Sequence, residues 1–363
     1  QQVASPSTGS AAGSAAGSPT AVASSAAAAT PAPKKGGTAV SAQVTDLNLN
    51  TGHPFVLWPQ DGLLLSAVHE PLIRYRDSIQ PEMVLAERFE FNSDRSGVTI
   101  ALKPGLTFHN GAAVTPEDVF FGIDVILNPA KHGITANFQI INFAKMITAM
   151  KKVDDRTMQF TLDQPRVNFA DFFAQMEIVQ AASYDKLITG KDIQGTGPYK
   201  FASWNPGQGY RLEPNKSWWG ASTFGGPWLD AIESKIFADF DAIGLAYQAG
   251  SIDWAAVTAQ VAKPFQSKNQ TAIGHKAGVN YVGCVVTNPL LKDSRVRQAL
   301  FAALDRPRFV SEVQEGFGSV TVQPWPASSP AFDPALEAPM YDPARARDLL
   351  KQAGFTQDRP LML

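Results

Sequence analysis

The residues of this chain able to break bonds are five histidines, one cysteine and a few paired acids, and their spacing argues against catalysis. His53, His69, His109, His132 and His275 show no i,i+3 or i,i+4 pairing, so no dedicated zinc site is expected. Glu117-Asp118 and Asp154-Asp155 are adjacent, and neighbours in sequence on a strand point to opposite faces. They read as a helix start and a turn rather than an acid–base pair. Cys284 lies in an apolar run and is expected to be a small buried hydrophobe; as the lone cysteine it forms no intrachain disulfide. There is no G-x-S-x-G elbow, Walker loop, dinucleotide fingerprint or H-E-x-x-H. The chain is therefore expected not to be an enzyme, and no cofactor or metal is expected. The chemistry left is non-covalent recognition, in which aromatic platforms and a few placed polar groups hold a ligand. Seven tryptophans supply candidates for such platforms.

The elements that would position them are legible from periodicity. Val98 to Leu102 alternates as a half-buried strand, Asn110-Gly111 is a turn signal, and Thr115-Pro116-Glu117-Asp118 is a capped helix start. His109, flanking that turn, reads as structural. Further strands are expected at Val40–Val44, 157–162, Ile232–Phe237 and Val279–Val286, with a hairpin joining Tyr199–Trp204 to Gly209–Glu213. Helices are expected at Asp61–Val68, 115–127, from about Asn168, and at Asp239–Gln248, Asp293–Leu304, Pro307–Glu315 and Pro343–Ala353. The fold class is α/β in the mixed α+β sense, without a strict βαβ rhythm.

The 363 residues are 44% hydrophobic, enough for more than one core, and the formal net charge is −2. No basic stripe appears, which argues against a nucleic-acid partner. No apolar run approaches the roughly 20 residues that span a bilayer. Gln1 to Pro33 is almost entirely Ala, Ser, Gly, Thr and Pro; residues 1–35 are expected to form a low-complexity, disordered tether.

Several segments in order carry a resemblance. They are His69-Glu70-Pro71-Leu72-Ile73-Arg74-Tyr75; Pro81 to Val119; Val153 to Thr157; Gly195-Thr196-Gly197-Pro198-Tyr199-Lys200-Phe201; Asn215 to Gly220; Gln248 to Asp253; Asp293 to Leu300; and Tyr341-Asp342-Pro343 to Phe355. From about Gly36 to its end the chain resembles the family 5 extracellular solute-binding proteins of ABC transporters, which take up peptides, nickel complexes and some oligosaccharides. Where that family usually has Glu-Gly-Leu, this chain has Glu70-Pro71-Leu72.

The resemblance implies a two-lobed, periplasmic-binding-protein-like fold with a ligand cleft between the lobes. The first lobe is expected over 36–275, with an inserted subdomain at about 55–190, and a partial second lobe over 276–363. That lobe is expected to be incomplete at Leu363, with ligand binding weakened accordingly. The implied function is capture of a peptide-like ligand and its delivery to the permease subunits of an ABC importer. An oligosaccharide ligand on the same fold is the alternative, and an enzyme or non-transport receptor on this scaffold is the alternative of another class. The protein is expected to be monomeric and extracytoplasmic, lipid-anchored through a cysteine upstream of Gln1.

The resemblance also points to ligand-binding residues. Trp58 and Gln60 fall in the segment that lines the cleft in family members. Trp254 lies where the family's cleft residues begin, and Trp325 in a Pro-rich loop of the second lobe. Phe138 and Tyr281 complete the set, while Trp204, Trp218, Trp219 and Trp228 are expected to pack structurally.

Overall fold

The computed structural model describes residues 34–47, 53–56, 62–76, 80–135, 138–190, 192–266, 279, 281–325, 329–336 and 341–355. The strands are β1 (Thr38–Gln43), β2 (Ile73–Arg74), β3 (Glu82–Met83), β4 (Ala86–Phe91), β5 (Gly97–Leu102), β6 (Ile147–Lys152), β7 (Thr157–Leu162), β8 (Tyr199–Asn205), β9 (Gly209–Pro214), β10 (Ala231–Ile236) and β11 (Trp254–Ala255). The helices are α1 (Gly62–Val68), α2 (Pro116–Leu127), α3 (Phe138–Ala144), α4 (Ala170–Gln175), α5 (Tyr184–Leu187), α6 (Ala221–Phe224), α7 (Phe240–Gln248), α8 (Ala259–Gln266), α9 (Ser294–Ala303), α10 (Arg306–Arg308) and α11 (Pro343–Gln352).

One sheet runs β11-β1-β10-β9-β8, with β1 parallel to both β10 and β11 and the rest antiparallel. The other large sheet, β4-β5-β7-β6, is antiparallel throughout, and β2 and β3 form a short ribbon. The fold is thus mixed α and β, as the periodicity implies. One buried apolar cluster unites α1, α2, α4 and the four-stranded sheet with Tyr199, Tyr210, Leu212 and Ile232 of the five-stranded sheet. Phe160, Phe169, Phe172 and Phe173 fill its centre, their rings meeting at 5.0 to 5.6 Å. Alternation explains β7: Met158, Phe160 and Leu162 point into this core while Gln159 and Thr161 face out.

Helix starts follow capping chemistry. At α2 the Thr115 N–H and hydroxyl both donate to Asp118 Oδ2 at 3.0 Å, and Pro116 takes the first helical position. Asp239, Asp293 and Asp342 cap α7, α9 and α11 by accepting from Ala242, Arg295 and Arg345 N–H groups. The Asp154-Asp155 pair is the expected turn: Asp154 accepts from the Arg156 and Thr157 N–H groups.

One expected element is corrected. Val279, Tyr281 to Val285 and Val286 form no strand among the described residues; Tyr281 is 84% exposed and Val282 77%. An apolar run becomes a buried strand only if a neighbouring strand and a covering layer meet it, and no described strand pairs with this one. Cys284 is accordingly half-buried rather than a core residue of a strand.

Candidate functional site

The expected cleft residues are distributed as follows. Trp58 and Gln60 lie outside the described residues, and Phe138 opens α3 with its side chain likewise outside them. Trp254 begins β11, opposite Ser41 of β1, and is 44% exposed; Trp325 is 49% exposed. Among the described residues no hydrogen bond or ring contact joins Trp254, Tyr281 and Trp325.

What the structure does bring together are the signature segments. Gly195 and Gly197 run against the C-terminal turn of α1: the Gly197 N–H donates to Val68 O at 2.9 Å. A Cβ on Gly195 would sit inside the Val68 carbonyl oxygen, and one on Gly197 inside the Ala67 carbonyl, so both positions need glycine for close approach. His109 clamps this loop. It accepts from the Gly195 N–H at Nδ1 (3.3 Å), which leaves the proton on Nε2 to donate to Gly197 O (3.1 Å). Burial, helped by the nearby Lys200 charge, pulls the His109 pKa down to about 4, against the hydrogen bond to Gly197 O, which favours the charged ring. Asn215 adds its Nδ2–H to the same Gly197 carbonyl at 3.1 Å. The turn at Asn110 is tied to Gln180 by reciprocal amide hydrogen bonds of 2.9 and 3.3 Å.

Glu70 is the other hub. It is 4% exposed, and its two carboxylate oxygens accept from the indole N–H groups of Trp218 (3.2 Å) and Trp219 (2.7 Å). Burial pushes its pKa up, while those indoles and nearby Arg74 pull it back. The two tryptophans are structural, as expected, through hydrogen bonds that periodicity does not reveal. Lys103 spreads over the Trp219 ring, 4.1 Å from its centroid.

Beside Glu70 opens a pocket of about 230 Å³, walled by His69, Glu70, Arg74, Glu177, Trp218 and Phe224. Its backbone is fixed by an antiparallel bridge between Pro71 and Glu177, and by the Ile178 N–H donating to Glu70 O at 3.0 Å. The Glu177 side chain has no hydrogen-bond or ion-pair partner among the described residues, and burial pushes its carboxyl up to about 7. Arg74 and Arg76 share one Glu82 oxygen at 3.2 and 3.0 Å, and both guanidiniums lie over the Phe224 ring at 5.1 and 5.9 Å. Glu177 was not singled out by the sequence; its signal is a charge inside the buried apolar run Met176, Ile178 and Val179.

The segment preceding Trp58 is anchored separately. The Phe55 N–H donates to His53 Nδ1 at 3.1 Å, so Nε2–H donates to the Tyr184 hydroxyl at 3.0 Å, which donates onward to His132 O at 3.2 Å. His132 Nε2 meets Asp124 at 2.8 Å at the end of α2. His53 is wholly buried, and burial leads the causes that lower its pKa to about 3. This chain of bonds is a structural anchor. Among the described residues no group of three or more His, Cys, Asp or Glu side chains could hold a metal ion, and no helix is long and apolar enough to cross a membrane.

Comparison with known proteins places this architecture. The family model for bacterial extracellular solute-binding proteins, family 5 (middle), matches residues 80–362. The glutathione-binding protein GsiB of Pectobacterium atrosepticum is 29% identical over 279 residues, 75% of this chain and 52% of that protein. The oligopeptide-binding protein AppA of Bacillus subtilis is 28% identical over 302 residues, 78% of this chain and 53% of that protein. The structure of the Bacillus subtilis AppA in complex with a nonapeptide superposes with a TM-score of 0.70 at 25% identity, covering 90% of this chain and 65% of that one. The chain thus spans about half the length of the curated relatives it matches.

Proposed function

Because the chain belongs to the bacterial extracellular solute-binding proteins of family 5, we propose that it is the solute-binding component of an ABC importer. On this reading it captures a peptide-like ligand between two lobes and delivers it to the permease subunits in the membrane. The observation that carries the proposal is the match of residues 80–362 to the family, which includes His109, Gly197 and the Trp218-Trp219 pair that interlock in the structure. The peptide-like ligand is supported by two relatives, named for glutathione and for oligopeptides. The first lobe is assigned to residues 36–275, with the 55–190 insertion, and the second from 276 onward. Trp58, Gln60, Phe138, Trp254, Tyr281 and Trp325 are the residues proposed to face the ligand. The low-complexity residues 1–35 act as a spacer that holds the folded part away from a lipid anchor outside the cytoplasm.

The function needs no bond-breaking residue. A ligand that contacts both lobes favours the closed form by its differential affinity for it, and the closed surface is what a permease would read. The test is thermal unfolding with panels of short peptides, oligosaccharides and nickel chelates. A true ligand at a hundred times its dissociation constant stabilises the fold by about 2.7 kcal/mol. Stabilisation by peptides alone supports the proposal; stabilisation by oligosaccharides alone overturns its ligand class.

A further inference from the structure

Helix α8 is mounted on the part of the chain assigned to the first lobe. Val261 and Phe265, one turn apart, share one face of it. Phe265 meets the Tyr247 ring of α7 edge to face, at 5.1 Å and 87°. A Cβ on Gly244 of α7 would lie 2.9 Å from Val261 Cγ1, so the two helices touch closely there. Ile243 packs α7 in turn onto Ala42 of β1 and Ile252. Gln260 and Lys263 lie on the other side of α8, about 150° around its axis from the Val261–Phe265 face.

Both side chains reach a turn in the part assigned to the second lobe. Gln260 Nε2–H donates to Val313 O at 2.9 Å, and Lys263 Nζ donates to Glu315 O at 2.7 Å. The same ammonium lies 5.9 Å from the centroid of the Phe317 ring. Phe309–Val313 is one π-helical turn, closed by the Gln314 N–H on Phe309 O at 3.1 Å. Carbonyls at such a C-terminal end lack a partner within the helix and carry partial negative charge, so a lysine is favoured beside them. The chain leaves the turn through positive φ at Glu315 (50°), Gly316 (80°) and Gly318 (124°). A left-handed backbone is uncommon for a residue other than glycine, and Glu315 offers its carbonyl to Lys263 from that conformation.

The buried apolar clusters stop on either side of this contact. Two draw their buried members from between Ala42 and Ile252, and the third from α9 and α11 through Ala299, Ala302 and Ala346. Among the described residues no buried cluster joins the two sets. The α8 hydrogen bonds are polar and exposed, so they can break and re-form without opening a core.

We propose that Gln260 and Lys263 form a latch that holds the Phe309–Phe317 turn against α8 and limits the angle through which the second lobe swings from the first. The inference rests on the reading of residues 36–275 and 276 onward as two lobes about a ligand, and adds the side chains that restrict their movement. The restriction is present before any ligand binds.

Electron spin distance measurement on the ligand-free full chain tests this. Lys216 and Asp348 are exposed, one in each part, and carry the spin labels through Lys216→Cys and Asp348→Cys in a Cys284→Ser background. The parent is expected to give one narrow distance distribution. Gln260→Ala combined with Lys263→Met is expected to give one about twice as broad, while Lys263→Arg, which keeps a cationic donor, stays narrow. Unfolding midpoints confirm that each variant folds. An unchanged width in the double variant overturns the latch, as does a Lys263→Arg distribution as broad as that of Lys263→Met. Saturable binding of short peptides with unchanged widths would overturn the latch and leave the transport reading intact. Broadening in the double variant, in a protein that binds no peptide, would support the latch and count against that reading.

Discussion

The Trp219 indole N–H lies 2.7 Å from a carboxylate oxygen of buried Glu70, across 149 residues of sequence. This bond and its Trp218 companion join the segment after α1 to the Asn215–Gly220 segment. They are the only hydrogen bonds to the Glu70 carboxylate from indoles among the described residues, and the packing of the pocket wall depends on them.

Trp219→Phe keeps the ring and deletes the donor. Leaving one oxygen of a buried carboxylate without its partner is expected to cost about 1–3 kcal/mol in urea unfolding. The loss should be greater at pH 8 than at pH 5, because burial already raises the Glu70 pKa and protonation relieves the missing bond. Equal losses at the two pH values would show that the donor is not what matters.

Gly195→Ala and Gly197→Ala drive a methyl into the Val68 and Ala67 carbonyls. Each is expected to lower stability by at least about 3 kcal/mol or to prevent soluble expression. Gly62→Ala is the control: nothing lies within 4 Å of its Cβ, and its midpoint should move little. Wild-type-like melting of Gly195→Ala would contradict the close approach.

Two buried neutral histidines make stability depend on acid. His53 and His109 have folded pKa values lowered from 6.5 to about 3 and about 4, in both cases chiefly by burial. Below pH 6.5 the unfolded chain therefore binds protons that the folded chain refuses. Stability is fully present above 6.5 and falls as pH drops toward 4, by up to about 1.4 kcal/mol per pH unit for each proton. The slope between pH 6.5 and 4.5 should be shallower in His109→Gln, as measured by urea unfolding; an unchanged slope contradicts the buried neutral imidazole.

Glu177 acts with the opposite sign. Its folded pKa is raised from 4.5 to about 7, so the folded chain holds the extra proton between those values. That stability is fully present below 4.5 and is lost as pH rises through 7. Ligand-free Glu177→Gln is thus expected to melt higher than wild type at pH 8, by on the order of 2 kcal/mol, and alike at pH 4.5. A variant less stable than wild type at pH 8 would mean that the carboxylate already has a donor.

Local signals were legible wherever a single segment carries its own pattern. The alternation of β5, the Thr115-Pro116 start of α2, the β8–β9 hairpin and the helix α7 that follows Asp239 and ends at Gln248 all appear at their expected places. His109 was readable as structural from its place beside a turn, though its clamp on Gly195 and Gly197, 86 and 88 residues away, was not. The run from Val279 to Val286 misled because apolarity specifies a wish for cover, and periodicity cannot say whether a covering strand exists. Glu177 carries no motif; its meaning comes from the Pro71 bridge that sets it beside Glu70. Trp254 and Trp325, the aromatics proposed to face a ligand, are exposed, and sequence distance alone could not tell which ligand they would meet.

The central claim is recognition of peptide-like solutes. It is tested most directly by titrating the full chain with short peptides up to millimolar concentration and following tryptophan fluorescence together with the unfolding midpoint. The account predicts a saturable fluorescence change with a matching rise in midpoint for peptides, reduced in Trp254→Ala. No saturable response to any peptide, alongside a clear one to an oligosaccharide, would contradict it.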